Sequence, residues 1–567
     1  MNPQGSKSPL RARFNDGSAN WTGLHGSSVA LALLSAARVH DGIVLVVTRS
    51  SHQSQLLEQD IQLFSDGSLP ILHFPDHETL PYDPFSPHPD IIAERLATLS
   101  SLAGVKSGLL LVPIATLMQR LPPRSHTLGR NIQLKTGQSL VIEDFRQRLQ
   151  QAGYSHADPV YQAGQFTVRG SVVDLFPSGR KQPLRIDLFD EEIDSLREFD
   201  SETQRSTAEL QEFSMLPARE YPCDQASFDD LRKAFRFRFV VDTRNVSLYQ
   251  DLRQGIHPQG LEQYLPLFFE ATESLLDYLP GKPLVVTQNG VEQAAVDFWS
   301  STNERWEQRR HDVERPVLDP LELYFNAKDV QQQLAEFESI SLLEPDDSPT
   351  SRDDGGVAIQ FDTQPAPDLH IHDRGNEPAA ALLEFTHEFP GRIMFAADTT
   401  GRREVLSETL RAFGIRPQRF ESWSEFQNSG ASLGLAVLPI EQGFVAANDI
   451  AVLTESQLFG GRVRPKTTRK LSERDPEAII RSLSDLNPGD PVVHEDHGIG
   501  RYRGLQSLEV DGRAAEFMTL EYAGEDKLYV PVTSMHLISR YTGGSAENAP
   551  LHRLGSEQWA KARKRAA

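Results

Sequence analysis

A single cysteine, Cys223, stands in 567 residues. That excludes an intramolecular disulfide and a four-cysteine zinc site, and it points to a reducing compartment, by default the cytoplasm. No stretch approaches the ~20 consecutive apolar residues that span a bilayer, and the opening "MNPQGSKSPLRARF" lacks the apolar core of a signal peptide, so no membrane association is expected. Positive charge is scarce: 57 Lys and Arg face 79 Asp and Glu, a net charge of −22. Such a field repels phosphate backbones, whose neutralisation supplies most non-specific affinity for nucleic acid, so proteins are the expected partners. The run "GGRVRPKTTRK", Gly460 to Lys470, is the exception and has the composition of a solvated linker.

A lysine is also missing from a place that invites one. In "WTGLHGSSVALALLSAARVHDGIVLVVTRS", Trp21 to Ser50, the glycines at 23 and 26 are spaced as in a phosphate-binding loop. Such a loop cradles phosphates with backbone N–H groups, reaches them with a lysine and ligates magnesium with a hydroxyl. Here those two positions hold Val29 and Ala30. The stretch is either an ordinary helix start or a nucleotide site without its chemistry.

What is present has the texture of several domains, roughly three to five at this length. Residues 1–130 alternate β-rich apolar runs, "GIVLVVT", "LPILHF" and "GLLLVPIATLMQRL", with helical patterns, which predicts a parallel sheet with crossover helices. The prolines at 75, 81, 84, 87 and 89 forbid regular structure between them. Residues 131–217 read as strands, "FTVRGSVVDLFP" and "PLRIDLFDEEIDSLREFD", hence a small α+β domain inserted into the first. Residues 218–343 return to apolar runs between helices, "FRFRFVVD" and "KPLVVTQ", as the second half of the first sheet. A linker is expected over 344–368, a small α/β domain over 369–460 and a basic linker over 461–485. From 486 to 546, short strands broken by "HGIG", "VDG" and "AGED" suggest a small β-barrel, and 547–567 begin a helix with Ser556 as its cap. The fold class is α/β multidomain.

Long motifs then converge on a family. "FPDHETLPYDPFSPHPDIIAERLATLSSL", "RGSVVDLFPSG", "RIDLFDEEIDSLREFD", "GLEQYLPLFFE", "VLTESQLFG" and the block from "VVHEDHGIGRYRGL" to "KLYVPVTSMHLISRY" closely resemble the N-terminal half of the bacterial transcription-repair coupling factors, the Mfd family. The first third also resembles the excision-repair protein UvrB, whose two-part sheet with an inserted domain that family shares. The UvrB loop would read G-x-T-G-S-G-K-T where this chain has "GLHGSSVA", and its acidic D-E-S-H motif is replaced by "PLVVTQNG", with Thr287 and Gln288 in place of carboxylates. The resemblance therefore implies a degenerate nucleotide site at Gly23, Gly26, Val29, Ala30, Thr287 and Gln288, with no catalytic residue and no cofactor in this chain. ATP and magnesium would belong to a DNA-translocating motor that follows in the family, and DNA would be met only there.

The resemblance further implies two protein partners. Arg169, Arg185 and Phe189 fall where the UvrB-like inserted domain recruits UvrA, and arginine beside an exposed aromatic is common hot-spot chemistry. Residues 486–546 resemble a CarD-like RNA polymerase-interacting domain, an SH3/Tudor-like barrel that grips the polymerase β subunit, with Leu508 as the contact and Arg503 and Glu509 beside it. Alternation along "RYRGLQSLEV" puts Arg501, Arg503, Leu505 and Ser507 on one side and Tyr502, Gly504, Gln506 and Leu508 on the other, so Leu505 is assigned to the core. His494, Glu495 and His497 crowd together, but adjacent strand residues point to opposite faces and zinc needs four placed ligands, so no metal is expected. The implied function is recruitment of repair proteins to stalled polymerase. The rivals are a free-standing CarD-like transcription regulator and a UvrB-like nucleotide-driven DNA enzyme.

Overall fold

A computed structural model of the chain describes residues 8–13, 18–129, 131–254, 256–346, 357–371, 378–459, 489, 491–494, 498–510, 513–524, 526–531 and 538–540. The chain divides into two units, Met1–Phe459 and Gly460–Ala567. Among the described residues no helix is long and apolar enough to cross a membrane.

The first unit is built on a seven-stranded sheet ordered Val357–Gln360, Ala19–Thr22, Ser339–Leu342, Leu284–Gln288, Ile43–Thr48, Gly108–Pro113 and Ile71–His73, parallel throughout. The central strands "IVLVVT" and "GLLLVP" are buried along their whole length because helices cover both faces. One face, with Val44, Val46, Leu109 and Leu111, packs under the helix Ser28–Val39. The other, with Ile43, Leu45, Val47 and Leu110, packs against Leu99, Leu117, Val291 and Val330 from the later helices.

Strands from residues 132 to 215 interrupt this sheet. Six of them, ordered Ser206–Leu210, Glu192–Phe199, Leu184–Phe189, Val172–Leu175, Gln165–Arg169 and Ser155–His156, form a mostly antiparallel sheet, and Ile132–Lys135 pairs with Glu212–Met215 beside it. Their alternating side chains enclose a separate core of Phe145, Leu149, Phe166, Val173, Ile186, Leu196 and Phe213.

The run "FRFRFVVD" does not form the strand that its alternation suggests. The helix Gln225–Arg238 carries its first half, capped by the Asp224 carboxylate on the Ser227 N–H at 2.9 Å. Phe228, Leu231 and Phe235 follow the helical period into an aromatic core with Tyr264 and Tyr82. Phe237 and Val240 are left outside.

Within 344–368, read as a linker, Val357–Gln360 forms the edge of the first sheet, and Thr363–Pro365 begins another. That sheet runs Thr363–Pro365, Phe444–Ala446, Ile450–Thr454, Arg392–Ala397, Leu433–Val437 and Gln418–Arg419. One of its faces, with Met394, Ala396, Phe444 and Val452, enters the same core as the helix Ser28–Val39. Trp423 meets Phe64 edge-on, ring centroids 4.8 Å apart.

The second unit holds five antiparallel strands, ordered Lys527–Pro531, Arg513–Glu521, Gly498–Val510, Pro491–His494 and Ile538–Arg540, around Val492, Tyr502, Met518, Leu520, Tyr522 and Val530.

The proline-bearing segment from 75 to 89 is held by a buried charge cluster. Arg95, on the helix Pro89–Leu102, donates to the Pro75 carbonyl and the Glu220 carboxylate, each at 2.8 Å, and lies over the Phe74 ring at 4.2 Å. His77 reaches Glu220 at 2.9 Å. Burial acts to raise the Glu220 carboxyl, but the charges of Arg95 and His77 and their hydrogen bonds outweigh it and hold the group at about 2.

Candidate functional site

On the strand Leu184–Phe189, Leu184, Ile186 and Leu188 face the core, so Arg185, Asp187 and Phe189 share the outer face. Register sets Asp174 directly opposite Arg185. The Arg185 guanidinium grips that carboxylate with two bonds, Nε to Oδ1 at 2.7 Å and Nη2 to Oδ2 at 2.9 Å, and Arg169 closes on Oδ2 from the next strand. Asp174 is only 1% exposed as a result. The Arg185 guanidinium is held above its ordinary value by these hydrogen bonds and the carboxylate charge, against the opposing effect of burial. Phe189 ends the strand 80% exposed, followed by Asp190 at a positive φ of 58°. The arrangement is two arginines fixed in direction by one carboxylate, with a bare phenyl ring on the same face.

The glycine loop behaves differently. Gly23 and Gly26 take positive φ values of 71° and 52°, which L side chains rarely adopt, and the helix Ser28–Val39 begins immediately after. Three of the loop's N–H donors are engaged by protein. The Gly23 N–H donates to the Pro345 carbonyl at 3.2 Å, that of His25 to the Thr363 hydroxyl at 2.9 Å, and that of Ser27 to the Gln442 carbonyl at 3.1 Å. Ser27 sits at the cap position, yet its hydroxyl does not cap the helix; it too donates to Gln442, at 2.8 Å. Val29 is partly buried against the shared core, and Ala30 is fully buried in it. Thr287 and Gln288 end a strand separated from the loop's own strand by Ser339–Leu342. Gln288 accepts the Arg49 N–H at 3.3 Å and lies against Gln53.

In the second unit the strand Gly498–Val510 does not alternate evenly. Tyr502 pairs with Leu520, but Leu505 pairs with Met518, so an extra residue is taken up at Arg503–Gly504, where Gly504 has a φ of 112°. The bulge puts Leu505 and Tyr502 at positions of the same face, whereas strict alternation separates them. Leu508 lies opposite Ala515 and Glu509 opposite Ala514, with Leu508 at the same parity as the exposed Gln506. The side chains of Leu505, Leu508 and Glu509 lie outside those described. Arg503 is exposed and pairs with Glu521 through two bonds of 3.0 Å. Among the described residues no group of three or more His, Cys, Asp or Glu could hold a metal; Glu495 and His497 lie outside them, as do the basic run from 460 to 470 and the closing segment 547–567.

Family models match residues 132–221 as a UvrB interaction domain, 385–458 as an MFD D3 domain and 486–542 as a CarD-like/TRCF RID domain. Transcription-repair-coupling factors are similar along nearly the whole chain: that of Haemophilus influenzae is 39% identical over 95% of it, and that of Escherichia coli 38% over 96%. That of Bacillus subtilis is 27% identical over 96%. The three domain matches and these relatives agree: the chain is similar to the transcription-repair-coupling factors. It spans about half the length of these relatives, 46% and 47% of the first two.

Arg169, Arg185 and Phe189 fall inside the UvrB interaction match, and Arg503, Leu508 and Glu509 inside the CarD-like match. Gln442, which fills the glycine loop, comes from the D3 match. Three residues escaped sequence reasoning. Asp174 carries a readable signal, an acid flanked by apolar residues in "SVVDLF". Thr363 and Gln442 carry none, because each acts on a loop more than 300 residues away.

Proposed function

We propose that this chain is the recruitment half of a transcription-coupled repair factor, carrying one docking face for UvrA and another for the RNA polymerase β subunit. The observation that carries the first is Phe189, 80% exposed beside two arginines oriented by Asp174. An isolated monomer gains nothing from such a ring, whereas aromatic and arginine anchors together supply the centre of many interfaces. The match of residues 132–221 to a UvrB interaction domain supports the assignment. For the second face, we assign the five-stranded sheet to a small SH3/Tudor-like barrel with Leu508 on its outer side, flanked by Arg503 and Glu509. The match to a CarD-like domain and the parity of Leu508 with exposed Gln506 support this.

The glycine loop takes no nucleotide in this reading. Val29 offers no charge to phosphates, no carboxylate stands at 287 or 288, and the Ser27 N–H already holds a carbonyl oxygen. ATP, magnesium and DNA are then the business of a motor elsewhere in the full-length factor, working in the cytoplasm.

The test is a pull-down of UvrA by Phe189→Ala. With the ring gone, affinity should fall by about tenfold or more, and the melting temperature should hold because the ring is 80% exposed. Unchanged capture of UvrA sinks the assignment.

A further inference from the structure

The mouth of the glycine loop is occupied by the chain itself. Two carbonyls, Gln442 and Gly443, stand over Gly26: a Cβ built there would lie 2.7 Å from each oxygen. Gln442 accepts both the N–H and the hydroxyl of Ser27. The Thr363 hydroxyl accepts the His25 N–H and donates to the Gly23 carbonyl at 2.7 Å, and the Phe361 N–H donates to Thr22 at 2.9 Å. A carbonyl oxygen carries partial negative charge, and it meets the N-terminal end of a twelve-residue helix, where a phosphate would otherwise be favoured.

We infer that the degenerate loop is a docking seat for the 378–459 domain, in which the Gln442 carbonyl stands in for the phosphate and fixes that domain to the first sheet. Apolar burial supplies the adhesion, through Met394, Phe444, Val452 and Trp423 against the helix Ser28–Val39 and Phe64. Apolar contact is non-directional and tolerates sliding; the hydrogen bonds at the loop set the register. Gly26 is the glycine that the seat needs. At Gly23 a side chain would meet the Phe361 oxygen at 2.2 Å, just past the edge strand of the first sheet, so that glycine serves the sheet itself. The loop is therefore a structural joint between the first sheet and the 378–459 domain.

This inference goes beyond the reading that the loop takes no nucleotide and can fail separately from it. Nucleotide titration of the unaltered chain tests that reading; hydrogen exchange in variants tests the joint. Gly26→Ala in the whole chain should speed exchange by about tenfold or more across 440–446 and 423–428, while the strand Ile43–Thr48 keeps its protection. Gly67→Ala is the control, since Gly67 has a φ of 76° with nothing within 4 Å of its Cβ position, so it carries backbone strain without touching the seat. Thr363→Val and Ser27→Ala repeat the test with no strain and carry it should Gly26→Ala not fold. Faster exchange confined to the 378–459 side, absent in Gly67→Ala, supports the joint. Unchanged exchange at 440–446, or an equal rise in Gly67→Ala or in Ile43–Thr48, overturns it.

Discussion

Arg185 closes on Asp174 through two parallel bonds of 2.7 and 2.9 Å, and Asp174 lies buried beneath Arg185 and Arg169. The arginines of the candidate UvrA face thus belong to the fold as well. Reversing their charge would set a carboxylate against a covered carboxylate. Arg185→Glu should destabilise this domain by about 2 to 4 kcal/mol, and Asp174→Asn by a similar amount, since breaking one side of a covered ion pair strands the other. Chemical denaturation checks both. Loss of UvrA binding in Arg185→Glu alone would say nothing about contact, which is why the exposed ring of Phe189 is the better probe.

Glu220 makes the first unit sensitive to acid. Its carboxyl is held at about 2 by Arg95 and His77 despite burial, below the unfolded value near 4.3, so its stabilisation is complete above that value and lost as pH falls from about 4 to 2. The contribution is on the order of 3 kcal/mol. Glu220→Gln should lower the urea midpoint strongly at pH 7 and should lose part of its difference from the unaltered chain near pH 3. A constant difference across that range would remove Glu220 from the acid transition.

Beyond the bulge at Gly504 plain alternation keeps Leu505 and Leu508 on opposite faces, and the bulge sets Leu505 on the face of Tyr502. Leu505 pairs with buried Met518, and Leu508 with Ala515 on the opposite parity. Leu505→Arg should unfold the second unit, whose small core has little stability in reserve. Leu508→Arg should leave its melt unchanged and abolish capture of the polymerase β subunit. Gly504→Val, forced to a φ of 112°, should cost about 1 to 3 kcal/mol. A β-binding Leu508→Arg would return that surface to solvent.

Nucleotide titration is the plainest check on the glycine loop. A fluorescent ATP analogue with magnesium should show no saturable binding at micromolar concentrations. Restoring only the lysine, Val29→Lys, should not create binding, because Gln442 still occupies the Ser27 donor.

The sequence was most legible where one period ruled. The buried runs 43–48 and 108–113 could only be central parallel strands, and the loop's missing lysine could be read by position. "FRFRFVVD" misled because Phe235, Phe237 and Phe239 alternate like a strand while Phe228, Leu231 and Phe235 keep the helical spacing that packing selects. Val357–Gln360 was hidden among prolines and aspartates, and only the exposed edge of a sheet already formed makes it a strand. At the candidate sites the side chains were legible and their partners were not. Asp174 is twelve residues or fewer from either arginine, yet its role depends on strand register, and Gln442 depends on a domain contact.

The helix Ser28–Val39 is enclosed from two sides. Ser28, every residue from Ala30 to Leu34, Ala36 and Ala37 are buried, with the first sheet on one side and the 378–459 sheet in the same core. A working nucleotide switch needs its loop to relax when the ligand leaves, and a wedged helix cannot. The larger side chain of Ala30→Thr would overpack a filled site by about 1 to 3 kcal/mol, and a lysine at 29 would have to leave the core to reach solvent. Rebuilding the phosphate-binding residues at 29 and 30 therefore passes through a less stable protein, because both positions face a core that the neighbouring sheet already fills.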